Sequence, residues 1–165
     1  ARRLGEETAI VRAMPNTPAA VGRGITVACA NQHTTPAQRA LCDRLLAAVG
    51  EVAWVEDESL IDPVTAVSGG GPAYVFLLIE VLAKAGVAAG LPEELAMRLA
   101  RSTVSGAGEL ARLSPEPASR LRENVTSPNG TTFEALKILM GEKGIEPLFV
   151  EAIAAATRRS RELAE

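Results

Sequence analysis

Gly71-Pro72-Ala73-Tyr74-Val75-Phe76-Leu77-Leu78-Ile79-Glu80-Val81-Leu82-Ala83-Lys84 reads as a helix with almost no polar face. Pro72 suits a first helical turn, and Gly90-Leu91-Pro92 marks the far end, so the helix is expected over about Pro72 to Ala89. Residues Tyr74 to Ile79, with Val81 and Leu82, are apolar almost all round. A helix of that kind has to be covered on every side. A chain of 165 residues is too short to do this comfortably by itself, which favours burial against a second subunit.

Working outward, the C-terminal half is helical throughout. Pro92 to Leu113 forms the next helix, with Glu93 and Glu94 at its positive end. Ser102, Ser105, Gly106, Ala107 and Gly108 lie inside it. A mid-helix glycine costs roughly 1 kcal/mol against alanine, so close approach of another helix is the expected compensation. Pro115 and Pro117 open a helix ending near Asn124, and two more are expected over 132–141 and 145–165. On the other side, Glu58 to Val67 reads as a helix broken by Ser68-Gly69-Gly70-Gly71-Pro72.

The first 56 residues have a different texture. Ala9 to Ala13 and Ile25 to Ala30 are strand-like, Thr35-Pro36 starts a helix capped by Gly50, and Glu51 to Val55 is a third strand. This is the grammar of an α/β sheet. The expected boundary gives an α/β segment over 1–56 and an all-helical domain over 57–165, mainly α as a whole.

Composition excludes several classes. Apolar residues make up 47% of the chain but only five are aromatic, so the core is aliphatic. The net charge of −3 with interspersed signs argues against nucleic acid, and Arg158-Arg159-Ser160-Arg161 reads as a solvated helix end. The best apolar run, Ala73 to Ala83, is interrupted by Glu80 and falls short of the ~18 residues of a membrane span. Cys29 and Cys42 have no metal-ligand spacing and read as small reduced core residues, pointing to the cytoplasm. His33 is the one histidine and reads as a solvated turn residue, so no triad and no metal cluster is expected.

Three motifs point to a ligand. Asn124-Val125-Thr126-Ser127-Pro128-Asn129-Gly130-Thr131-Thr132 is a turn feeding a helix start, where free N–H groups suit a carboxylate or phosphate. Met14-Pro15-Asn16-Thr17-Pro18 follows a strand, as ligand loops in α/β sheets do, although Asn16 could equally bond its own turn. Ser68-Gly69-Gly70-Gly71-Pro72 brings bare backbone either to a ligand or to a tight helix corner. It lacks the spacing of a dinucleotide fingerprint. Glu58 and Asp62 share a face near a helix start, where acidic residues suit the helix dipole.

Taken in order and spacing, Val11-Arg12-Ala13-Met14-Pro15-Asn16-Thr17-Pro18, Thr65-Ala66-Val67-Ser68-Gly69-Gly70-Gly71-Pro72-Ala73-Tyr74 and Val125 to Thr132 closely resemble pyrroline-5-carboxylate reductases across essentially the whole chain. The resemblance implies reduction of the imine of 1-pyrroline-5-carboxylate to L-proline with NADPH or NADH. It implies a helical dimerisation domain like the C-terminal domain of 6-phosphogluconate dehydrogenase, preceded by the end of a Rossmann domain. It also implies a homodimer, often assembled further. By the same resemblance Thr132 is the catalytic residue, and Ser127, Gly130, Thr131, Thr132 and Glu58 contact substrate. Met14, Pro15, Asn16 and Asn124 contact the cofactor. Gly70 stands where the family usually has serine, and Asn129 where it usually has glycine. The glycine-rich βαβ unit that holds the pyrophosphate is expected ahead of Ala1, so the isolated chain is expected to be inactive and its main cofactor site to lie outside it.

Two other readings compete with this one. A non-catalytic dimerisation module would share the fold. A hydroxy acid dehydrogenase of related architecture would need a helical lysine, for which Lys84 is an unsupported candidate.

Overall fold

The computed structural model describes residue 5 and residues 7–164. Three strands come first. β1 (Val11–Met14) pairs antiparallel with β2 (Gly24–Ala30), which pairs parallel with β3 (Gly50–Val55), in the order β1-β2-β3. The first strand starts later than its sequence suggested, because Ile10 is held by a side chain instead: its N–H donates to Asn31 Oδ1 at 3.0 Å. A parallel pair needs a crossover, and α1 (Pro36–Leu46) supplies it between β2 and β3. Thr35 caps that helix as expected, through a capping box with Gln38.

Gly50 plays a different part from the helix cap read in the sequence. A 3-10 turn, Ala47–Val49, ends the helix, and Gly50 opens β3 at φ 150°. A Cβ at Gly50 would collide with the Gly24 carbonyl across the sheet. Arg39 pins α1 to β3. Its guanidinium lies 4.4 Å from the Trp54 ring and donates twice to Glu56 Oε1 at 3.1 Å, while Trp54 Nε1–H donates to Asp43 Oδ1 at 3.0 Å.

The chain forms two compact units, residues 1–72 with 152–165, and residues 73–151. In the first, Val27, Cys29 and Ile61 are the buried core, with Met14, Val55 and Val64 against them. Ile61 and Val64 belong to α2 (Ile61–Val64), which covers this face of the sheet. Asp62 on the same helix accepts from the Ser160 hydroxyl at 2.6 Å, tying in the last turns of the chain. Cys29 is buried and Cys42 half-buried, both as free thiols. His33 is half-buried rather than solvated, with its Nε2 3.2 Å from Gln32 Nε2.

The triple glycine does not break the helix. Thr65–Gly69 forms a π-turn closed by Gly70 N–H on the Thr65 carbonyl at 2.9 Å, and α3 (Gly71–Ala88) follows directly. The stretch Glu58–Ala88 is long and apolar enough to cross a membrane by length and composition alone, with a mean hydropathy of 1.6. Glycines placed to widen a helical turn, rather than end it, are why the apolar stretch read as interrupted runs longer than expected.

In the second unit α3 packs on α4 (Glu93–Leu113) through small residues. Ala83, Ala96 and Ala100 are buried, and a Cβ on Gly86 would sit 3.2 Å from Ala96 Cβ. Tyr74 meets Phe149 edge-to-face at 6.0 Å. α5 (Ala118–Asn124), α6 (Thr131–Leu139) and α7 (Ile145–Ala164) complete the helices, α7 ending in the first unit. Most of α3 is bare: Phe76, Leu77, Val81 and Leu82 are all exposed. Gly106 and Gly108 of α4 face open space, so the expected helix approach does not occur among the described residues.

Gly50→Ala should lower unfolding free energy by about 2 kcal/mol or more, through positive φ and the clash with Gly24. Urea unfolding followed by circular dichroism measures it, and an unchanged midpoint would contradict the close strand approach.

Candidate active site

The loop ahead of α6 is built to leave donors free. Gly130 N–H donates to the Ser127 carbonyl at 3.0 Å, closing a turn over Pro128 and Asn129. Asn129 sits at φ 57°, a left-handed conformation that asparagine tolerates. Gly130 is then extended and caps the helix without any side-chain bond. The first intrahelical bond is Glu134 N–H to the Gly130 carbonyl at 3.2 Å. The N–H groups of Thr131, Thr132 and Phe133 therefore have no acceptor among the described residues. Both threonines are exposed beside them. A Cβ on Gly130 would collide with Ser127 Oγ, so glycine lets that hydroxyl lie over the turn.

The base of the loop is anchored on both sides. The Thr126 hydroxyl donates to the Arg122 carbonyl at 2.6 Å. Asn124 Nδ2 donates to Glu116 Oε2 at 3.1 Å, which orients the Asn124 amide from the start of α5. Glu116 N–H is in turn held by Ser114 Oγ at 3.1 Å.

The remaining candidates belong to the first unit. Met14 is half-buried at the end of β1, and Pro15 is exposed. Asn16 does not bond its own turn: its Oδ1 accepts from Ile25 N–H at 3.0 Å, fixing the loop against β2. Glu58 pairs with Arg12 at 3.0 Å, an exposed pair worth little to stability. Asp57 precedes it, and hydrogen bonds from Ser59, side chain then backbone, hold its carboxyl below the usual range. Cys29 lies behind this acidic cluster; burial first, then Glu58, Glu56 and Asp57, push its thiol up.

Gly69 explains why the π-turn is glycine-rich. A Cβ there would stand 2.6 Å from Met14 Cε, so the missing side chain makes room for the methionine. One residue earlier, Ser68 Oγ is shielded from solvent without a hydrogen-bond partner among the described residues. An apolar methionine surface and an unpaired buried hydroxyl on the neighbouring turn fit the amide-bearing ring of a nicotinamide. No phosphate-cradling glycine loop occurs among the described residues. The Met14 to Asn16 and Glu58 group lies in one unit and the Asn124 to Thr132 group in the other.

The family model "Pyrroline-5-carboxylate reductase dimerisation" matches residues 58–163. The chain belongs to the pyrroline-5-carboxylate reductase family. It is 48% identical to the pyrroline-5-carboxylate reductase of Synechocystis over 155 residues, 94% of this chain and 57% of that protein. It is 46% identical to that of Pseudomonas aeruginosa over 162 residues, covering 98% and 59%. A solved pyrroline-5-carboxylate reductase from Coxiella burnetii superposes with a TM-score of 0.93 at 42% identity, over 98% of this chain and 60% of that one. The Plasmodium falciparum enzyme, solved with NADP bound, superposes at 0.86 with 34% identity, over 99% and 65%. The chain thus spans about three fifths of the length of the reductases it matches.

Two features of the candidate site were missed in the sequence. Glu116 is two helical turns before Asn124, and that spacing was the available signal, obscured by the prolines at 115 and 117. Arg12 had no signal, since its partner lies 46 residues away.

The loop conformation is directly testable. Asn129→Gly should leave stability within about 0.5 kcal/mol, while Asn129→Val should cost about 1–2 kcal/mol. Thermal unfolding measures both, and a neutral valine would contradict the left-handed turn.

Proposed function

We propose that the protein takes part in reducing the cyclic imine of 1-pyrroline-5-carboxylate to L-proline, as a homodimer joined through its helical region and able to assemble further. The observation that carries this reading is the cluster of free N–H groups at the start of α6, with the Thr131 and Thr132 hydroxyls beside it. NADPH or NADH, when bound, supplies the hydride. The backbone N–H groups from Thr131 onward grip the substrate carboxylate, favoured by the positive end of the helix. Gly130 and Ser127 shape the approach to that grip. The Thr132 hydroxyl bonds the ring nitrogen and fixes which face of the imine is presented. It orients and polarises without giving up its own proton, which is held too tightly at neutral pH. The proton on nitrogen comes from solvent or from an imine bound already protonated.

In this reading Met14, Pro15 and Asn16 line the nicotinamide end, where Gly69 leaves Met14 its room. Asn124, whose amide is held by Glu116, is a cofactor contact by the family resemblance. Glu58 is a substrate contact by the same resemblance, its carboxylate oriented by Arg12. The phosphates of the cofactor are held outside these residues. The cytoplasm, where both thiols stay reduced, is the proposed compartment.

Two experiments test the reading. In the chain itself, L-proline should shift the amide resonances of Thr131 and Thr132, and pyrrolidine, which lacks the carboxylate, should not. Equal shifts, or none, would remove the carboxylate grip. In the complete enzyme Thr132→Ala should lower kcat about tenfold or more and change KM less. Unchanged turnover would sink the role given to Thr132.

A further inference from the structure

Gly106 stands in the middle of an exposed apolar stripe. Leu99, Gly106, Leu110 and Leu113 recur at helical spacing along one side of α4, next to the side that buries Ala96 and Ala100. Leu110 is 65% exposed and Leu113 64%. A Cβ built on Gly106 would meet nothing within 4 Å. Glycine therefore weakens this helix with no compensating contact among the described residues. Its φ is not positive, so backbone conformation gives no reason for it either. Gly108 is equally open, but its neighbours one turn away are Val104, Ser105, Ala111 and Arg112, none of them a leucine.

We propose that a helix of a second copy of this chain crosses α4 at Gly106, using the missing side chain as the point of closest approach. Leu99, Leu110 and Leu113 form the walls of that notch, where a neighbouring ridge seats. The inference rests on the homodimer proposed above and adds the residue that sets its closest contact. The matched family is described as a dimerisation family, and the match covers all of α4.

The test is a sign reversal between two glycines. In an open helical position, alanine raises stability. Gly108→Ala should therefore raise the midpoint of thermal unfolding and leave the dimer dissociation constant unchanged. Gly106→Ala and Gly106→Met should weaken the dimer roughly ten- to a hundredfold by overpacking the crossing. Circular dichroism should show undiminished helix in both. Sedimentation velocity over a dilution series reads the constants. A wild-type chain that stays monomeric would overturn the homodimer and this inference with it. A dimeric wild type whose constant is untouched by Gly106→Ala and Gly106→Met would overturn only the crossing at Gly106.

Discussion

The helical half of this chain is governed by one constraint: α3 has almost no polar face, and the described residues leave most of its large side chains exposed. Gly86 of α3 faces Ala96 of α4, and the buried residues of the two helices are the alanines Ala83, Ala96 and Ala100. Small residues bring two helix backbones close but bury little apolar area. The large side chains, Phe76, Leu77, Val81 and Leu82, are left pointing outward. The hydrophobic effect then gives this region its main stabilisation only when something else lies against it. In the proposed homodimer a second copy meets that need.

The first unit is organised the opposite way. Its central strand, Thr26 to Cys29, is buried, and Ile61 closes the core against it. That rigid base fixes the end of β1, where Met14 lies against the glycine of the π-turn. The chemistry proposed for the protein suits such a scaffold. An imine reductase needs an oriented cofactor, a held carboxylate and a positioned nitrogen, and none of these calls for a strongly shifted side chain. In the proposed site the groups offered to the substrate are backbone N–H donors at a helix start.

Elements with a local cause were legible in the sequence. Thr35-Pro36 with Gln38 starts α1 because the cap is made by residues three apart. The α6 start was readable for the same reason, since a turn and its free donors are set by neighbouring residues. Elements with a distant cause were not. The glycines at 69–71 looked like a helix break because the sequence does not reveal that Met14 occupies the space beside Gly69. Gly50 looked like a helix cap because its true constraint is the backbone of Gly24 on another strand. Arg12 and Glu58 meet only after the sheet has formed. Gly106 and Gly108 suggested close packing, and the chain alone provides none.

The central claim is that the apolar surface of α3 is completed by a second copy of the chain. Amide hydrogen exchange along α3, followed as the protein is diluted, tests it most directly. If a second copy covers the helix, protection of the Phe76 to Leu82 amides falls with dilution, while that of the central strand Thr26 to Cys29 holds until the protein unfolds. Protection of α3 that is the same at every concentration, in a chain that sediments as a monomer, would contradict the claim.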